Sequence, residues 1–423
     1  LRLQLTARHA WLVGALALVA RAAPARAEDA VELTTTWYQE QRQGGLGGLT
    51  VIHPQLDIGL GGETVGVDVG YSADAVTGAT AAVYSSDAVS SATTFSDLRH
   101  DGRLGLSFSG KRAQFGVGGA VAAERDYLSI SVSGGAAIDL PGKNTNVALS
   151  YSHAFDEVCD KDNAMLGIFE RRPLTGFDAC AKNVVLGEDT PGTTVWRDIS
   201  IDTAQATVTQ NLSPTANLQL ALFGQIVDGF QSNPYRRVRV GSNEPQEHIP
   251  ATRARLAVSA RLNRFFPALR GAVHVSARYY SDTWGVNSGT GELAWSQYAG
   301  SSLLLRLRAR VYQQSAATFF KDAFFYETES AAGEYFTGDR ELAPVRNVLV
   351  GGKLTILTVA EDDRDVWGLF DKVSVNLKAD VLLLSELAAD DPDANLVGRD
   401  RQFLSSDQLV DSFVLQLGVL AAY

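Results

Sequence analysis

Apolar residues return at every second position along most of the chain. Val65, Val67, Val69 and Tyr71 share one face of a short segment. Leu104, Leu106 and Phe108 share one face of another, with Arg103 and Ser107 opposite. Val273, Val275, Ala277 and Tyr279 alternate with His274, Ser276, Arg278 and Tyr280. A period of two sends successive side chains to opposite faces, so each segment reads as a strand with one apolar and one polar face. Sixteen such segments occur, near 31–42, 49–60, 64–73, 103–109, 113–124, 127–138, 145–156, 196–211, 216–228, 252–264, 268–283, 291–298, 303–316, 347–358, 372–385 and 411–423. Most have the length that a tilted strand needs to cross a bilayer.

The connections alternate in length. Short ones include Gly61-Gly62, Ser109-Gly110-Lys111, Pro141-Gly142-Lys143-Asn144 and Ser213-Pro214-Thr215. Between them lie 74–102, 157–195, 229–251, 317–346 and 386–410. The exceptions are short links near 44–48 and 125–126 on the long-loop side, and a longer one at 359–371 on the other. Short periplasmic turns and long outer loops are the signature of a transmembrane barrel. A secreted sandwich also alternates, but at this length it would normally split into modules. The pattern therefore predicts an all-β chain: one antiparallel up-and-down transmembrane barrel of about sixteen strands over 28–423. Closure follows from the lipid, because an open sheet would leave two edges of unpaired backbone groups.

The two chain ends agree with export. Residues 1–27 carry Arg2 and Arg8, an apolar run from Trp11 to Ala20 and the small-x-small site Ala25-Arg26-Ala27, which reads as a signal peptide cleaved after Ala27. The last strand runs from Phe413 to a terminal Tyr423 with one wholly apolar face, and resembles the signal read by barrel-insertion machinery. Removing 1–27 takes away four arginines and no acid, so the charge becomes 33 − 48 = −15, which argues against a nucleic-acid binder. The two cysteines, Cys159 and Cys180, fall in one outer loop and are expected to pair in an oxidising compartment.

One strand fixes which face is the lumen. Leu303, Leu305, Leu307, Ala309 and Val311 alternate with Arg306, Arg308, Arg310 and Tyr312. An arginine on the lipid face near midplane costs about 2–4 kcal/mol, so three in a row must face inward. The same reasoning turns Arg253, Arg255, Arg261, His274, Arg278 and Tyr280 inward, and predicts a basic lumenal wall. The wall has two readings. It balances carboxylates, with Asp198, Asp202, Asp282, Glu292 and Asp380 as partners, or it selects anions.

The stretch 72–103 repeats itself: Asp74-Ala-Val-Thr77-Gly78-Ala-Thr is echoed by Asp87-Ala-Val-Ser90-Ser-Ala-Thr, and Arg99-His100-Asp101-Gly102 follows. Asp, Ser and Thr bond to nearby backbone, and Gly78 permits unusual backbone angles, so two similar turns are expected at the rim or in the mouth as an ordered loop or plug. Further along come Asn233-Pro-Tyr235-Arg236, "EHIPATRAR" at 247–255, "RYYSDTWGVNSGTGELAWSQY" at 278–298, "RARVYQQSAATFF" at 308–320 and "TGDREL" at 337–342. Together, in this order, these stretches resemble the outer-membrane barrel family catalogued as domain of unknown function 3570. The resemblance implies a barrel and supplies no activity.

No histidine pair has metal-ligand spacing, and no Cys-x-x-Cys or phosphate-binding glycine loop is present, so no metal or cofactor is expected. Three functional readings remain. The first is a channel or transporter for small solutes in the outer membrane, surrounded by its lipid. The second is a plugged structural or assembly partner that docks periplasmic proteins through the turn 359–371, which carries Trp367 and Phe370. The third is a hydrolase, for which His100-Asp101 sits where a catalytic pair near the outer rim would, while His274 points inward and is a poor candidate for a lipase.

Overall fold

The computed structural model describes residues 29–41, 49–62, 64–78, 95–124, 127–160, 195–233, 238–241, 245–320, 325–326, 328–359, 366, 370–386 and 409–423. The first half of the barrel comprises β1 (Ala30–Gln41), β2 (Thr50–Gly61), β3 (Val65–Gly78), β4 (Phe95–Ser109), β5 (Ala113–Ala123), β6 (Tyr127–Asp139), β7 (Thr145–Asp160), β8 (Val195–Ser213) and β9 (Ala216–Gly229). A short strand in an outer loop, β10 (Arg239–Val240), precedes β11 (Thr252–Phe266), β12 (Gly271–Asp282), β13 (Asn287–Ala299) and β14 (Leu303–Gln314). A second short loop strand, β15 (Phe325–Tyr326), and one helical turn, α1 (Glu329–Ala332), precede β16 (Val345–Val359), β17 (Lys372–Glu386) and β18 (Leu409–Ala422).

Sixteen of these strands form one closed antiparallel barrel in sequence order, sealed where β1 pairs with β18, Ala30 opposite Ala422. The first and last described residues meet at this seam: the Tyr423 amide donates to the Asp29 carbonyl at 2.8 Å. The two loop strands pair with each other in a separate parallel ribbon. Every barrel strand is thus paired on both sides, as lipid demands.

The faces follow the period of two. Leu104, Leu106, Phe108, Phe115, Leu149, Leu220, Leu256, Leu293 and Leu307 are exposed on the outer surface, where lipid would cover them. Aromatic rings cluster near the two ends of this apolar belt. Phe108 and Phe115 lie near the periplasmic end, and Tyr71, Tyr151, Phe155 and Tyr279 lie nearer the outer end. Such girdles sit at the membrane interfaces of transmembrane barrels.

The strand count and short periplasmic turns match the expectation. The largest differences in strand boundaries fall at the first long loop. β3 continues to Gly78 and β4 begins at Phe95, so Asp74 to Gly78 of the first copy of the doubled motif and Arg99-His100-Asp101 lie in strand rather than in a loop, with Asp74 opposite Arg99 and Thr77 opposite Ser96. The second copy, with Asp87 and Ser90, lies outside the described residues. So do Tyr235, Arg236 and Cys180. Cys159 is fully buried at the outer end of β7.

Candidate functional site

The inner surface divides into two walls. On β5, β6 and β7 the inward positions are small: Gly116, Gly118 and Ala120, then Ser129, Ser131 and Ser133, then Ala148, Ser150 and Ser152. On β11 to β17 they are large and charged. Arg306, Arg308 and Arg310 alternate with the exposed Leu305, Leu307 and Val311 of β14, and Arg253, Arg255 and Arg261 with the exposed Leu256, Val258 and Leu262 of β11. His274, Arg278 and Tyr280 alternate in the same way with Val275 and Tyr279. His274 bonds Asn263 through Nδ1 at 2.7 Å and Ser296 through Nε2 at 3.1 Å.

The structure separates these cations by what they hold. Arg308 donates from Nε to Asp380 Oδ1 at 3.1 Å and from Nη2 to Asp380 Oδ2 at 2.5 Å. One strand separates the partners: Arg308 lies opposite Gly351 of β16, and Gly351 lies opposite Asp380 of β17. The bond passes over a residue with no side chain. A Cβ on Gly351 would stand 1.8 Å from Asp380 Oδ1 and 2.7 Å from the Ala379 carbonyl. The same arrangement recurs across the barrel, where Arg103 of β4 bonds Asp57 of β2 over Gly70 of β3. A Cβ on Gly70 would stand 2.2 Å from Arg103 Nε. The two clasps differ in burial: the Asp380 side chain is 2% exposed and that of Asp57 27%.

Arg253 is also committed. Its Nη2 lies 2.5 Å from Asp282 Oδ2, and its guanidinium sits 4.1 Å from the Trp284 ring centroid. Asp282, whose side chain is wholly buried, also accepts from Tyr280 OH at 2.7 Å and from the Trp284 and Val286 amides at 3.0 and 2.9 Å. It is therefore a structural hub rather than a free lumenal charge. Arg255 donates to Gln225 at 2.8 Å. Among the described residues Arg261, Arg278 and Arg310 make no ion pair, and Arg306 lies 3.9 Å from Glu292. Asp202 faces outward, with Tyr151 and His153 bonded to it, so it does not balance the wall. Asp198 shares that outward parity on β8 with the exposed Val208 and Leu212.

Two cations escaped the sequence reading. Lys353 of β16 lies opposite Arg306, and Lys378 of β17 lies opposite Lys353, so three cations sit side by side on one rung. Lys378 Nζ reaches Asp380 at 3.3 Å. Each lies singly in a mixed strand, and only pairing brings them together.

A packed cap closes over the outer mouth on the charged side. Ile249, Trp284, Val286, Ala317, Phe320, Leu342, Ala343 and Val345 form one buried cluster against the inward-facing Tyr280 and Tyr312. Glu247, 3% exposed, ties its two loops: Oε1 accepts from the Asn233 amide and Oε2 from Thr337 Oγ1, both at 2.6 Å. His248 and Phe336 exchange backbone hydrogen bonds at 3.0 and 2.8 Å. Gln314 Nε2 holds the Glu341 and Ala343 carbonyls at 2.8 and 2.7 Å. At the tight turn between β12 and β13, Gly285 has φ +89° and packs under Thr318, whose Cγ2 would be 2.6 Å from a Cβ there. The described order at the mouth thus comes from loops 230–251 and 315–344. The first copy of the doubled motif is tied to the barrel wall instead, through Asp74 and His53 at 2.7 Å. Arg99 lies over the Tyr127 ring at 5.4 Å.

The hydrolase pair does not form. His100 bonds Tyr71 on the outer face at 2.7 Å, while Asp101, the next residue of a strand, points to the other face. Among the described residues no three His, Cys, Asp or Glu side chains gather as a metal site requires.

Solved structures similar to the chain are membrane barrels. They include a bacterial polysaccharide outer membrane secretin at 7% identity and TM-score 0.48, with 93% of this chain and 98% of that one covered. A BenF-like porin from Pseudomonas fluorescens Pf-5 is similar at 8% identity and TM-score 0.42, covering 94% and 98%. OccD3 (OpdP) of Pseudomonas aeruginosa is similar at 7% identity and TM-score 0.40, covering 93% and 91%. No curated protein matches the sequence. A family model described as Protein of unknown function (DUF3570) matches residues 5–361, a span that includes the clasp arginines, the Asp282 hub and the motifs that build the cap, and the chain belongs to that family.

Proposed function

We propose that the protein is an outer-membrane channel for small solutes that favours anions. The observation that carries this reading is the imbalance of the inner surface. Arg261, Arg278, Arg310 and Lys353 face a lumen whose opposite wall, on β5 to β7, carries no lysine or arginine. Fixed charge in a narrow passage with low-dielectric walls raises the local concentration of the opposite ion. Sixteen strands leave room for such a passage, and the cap narrows its mouth on the charged side. Residues 1–27 fit export to the outer membrane, and the final strand ending in Phe413 to Tyr423 fits recognition by the insertion machinery.

Purified protein in a planar bilayer tests the reading. A salt gradient should give a reversal potential on the anion-selective side. A silent membrane at all voltages would overturn it. That result would favour the second reading, a structural partner that docks periplasmic proteins through the turn 359–371. At the end of that turn the Phe370 ring lies 4.8 Å from the Tyr423 ring, centroid to centroid.

A further inference from the structure

We propose that the lumen contains a discrete binding site for a small organic carboxylate, with Arg261, Arg278 and Arg310 holding its charge. The inference rests on the channel reading and goes beyond it, because selectivity by field alone needs no bound state.

The site is a cavity of about 700 Å³ on the inner face between β8 and β16, lined by these three arginines with Glu292, Phe223 and Asn347 among others. Register brings the cations together. Arg261 lies opposite Ser276, Ser276 opposite Glu292, and Glu292 opposite Arg310, so both arginines stand on one rung. Three strand spacings separate their backbones, about 14 Å, and two long side chains reaching inward span most of that gap. Arg278 stands between them in strand order, one inward position nearer the outer end. The lining holds three arginines and one glutamate, an excess of 3 − 1 = 2 positive charges, and Glu292 is 3.9 Å from Arg306 outside the cavity.

Contrast with the other arginines defines what is missing. Arg255 holds the Gln225 amide, and Arg253 and Arg308 each hold a buried carboxylate, Asp282 and Asp380. The three cavity arginines have none among the described residues. Arg310 Nε and Asn347 Oδ1 are buried without a hydrogen-bond partner. Leaving such groups unpaired costs free energy, and a ligand toward which the two side chains turn, accepting from the guanidinium and donating to the amide oxygen, removes both deficits. Phe223 supplies an apolar surface 6.0 Å from the Arg278 guanidinium. A carboxylate on a small body that carries a hydroxyl matches all three features. A bare inorganic anion matches only the first.

The test is calorimetric titration of the full barrel in detergent with 4-hydroxybenzoate and, separately, inorganic phosphate. Saturable one-to-one binding of 4-hydroxybenzoate, tighter than phosphate, is expected. Arg310→Gln and Arg278→Gln should each weaken it about tenfold, the scale of one charge-assisted hydrogen bond. Lys353→Gln, on the same wall but outside the cavity, should change it by less than about twofold. Arg261→Lys should retain partial binding, and circular dichroism should show an intact barrel for each variant. Equal weakening by Lys353→Gln would mean a diffuse field and overturn the site. Phosphate binding as tightly as the organic acid would overturn the ligand class. Absence of saturable binding overturns the site while leaving anion-selective conductance standing. Binding by a protein that conducts nothing overturns the channel and leaves the site.

Discussion

The wall of β5 to β7 and the wall of β11 to β17 are built from one strand geometry, yet they do opposite things with their inward positions. The first presents Gly, Ala and Ser. Its buried carboxylate, Asp156, is taken up by Tyr127 of the adjacent strand. The second presents arginines and lysines, buries two carboxylates against them and carries the cap. The difference teaches that a barrel lumen is shaped by subtraction on one side. Small residues open space there, and charged residues on the far side fill the space with a field.

The two Arg–Gly–Asp clasps give the largest test of that contrast. Arg308→Met leaves Asp380 buried with only Lys378 beside it, and loss of one partner of a buried pair costs about 3–5 kcal/mol. Arg103→Met removes the more exposed clasp near the small-residue wall and should cost at most about 1 kcal/mol. Urea unfolding in detergent compares them, and equal losses would break the distinction. Next comes the cap. Glu247→Ala strips the Asn233 amide and Thr337 hydroxyl of a charged acceptor, worth about 1.5–3 kcal/mol of local stability. Hydrogen exchange should rise in 245–251 and 328–344 while the barrel strands stay protected.

Selectivity comes third. Arg278→Glu, opposite Ser259 and Thr290, changes the free charge by two units and should lower the anion-to-cation permeability ratio by on the order of several-fold, measured as a shift in reversal potential. Arg308→Glu is the poorer probe, because it sets two carboxylates against each other at the clasp. The smallest effect belongs to the neutral wall. Ser133→Trp, beside Gly118, should lower conductance by roughly half without moving the reversal potential, since it takes up space and leaves charge alone. A shift in potential there would mean that both walls contribute to selectivity.

Much of this was legible in the sequence. Period two gave sixteen strands and the inward face of Arg306, Arg308 and Arg310, because lipid penalises the other face. It failed at 95–102, where Leu98 stands among Asp97, Arg99, His100 and Asp101, and Phe95, the other large apolar residue, is out of step with it. A strand that rises above the apolar belt loses the hydrophobic contrast that reveals it. Partners were less legible than faces. Asp380 was one of five acids proposed to balance the wall, and nothing local distinguishes it from Asp202, which faces the other way. Gly351 reads as a weak point in a strand until pairing shows that Arg308 must cross it. The stretches at 247–255, 278–298 and 337–342 stood out only as a family resemblance, and nothing in them told of a cap, because it depends on loops meeting across the mouth.

The clasp over Gly351 also bears on how the barrel is assembled. Arg308 and Asp380 are 72 residues apart, and their bond exists only when β14, β16 and β17 are all zipped in one alignment. Sliding β16 by one residue turns its whole inward set toward lipid. Sliding it by two brings Leu349 or Lys353 into the crossing, where a side chain blocks the arginine. A misaligned hairpin therefore keeps an unpaired carboxylate and an unpaired guanidinium in the lumen, and gains about the cost of one buried pair on correction. The glycine acts as a keyhole: it lets the sheet recognise its own correct alignment before the final strand seals against the first.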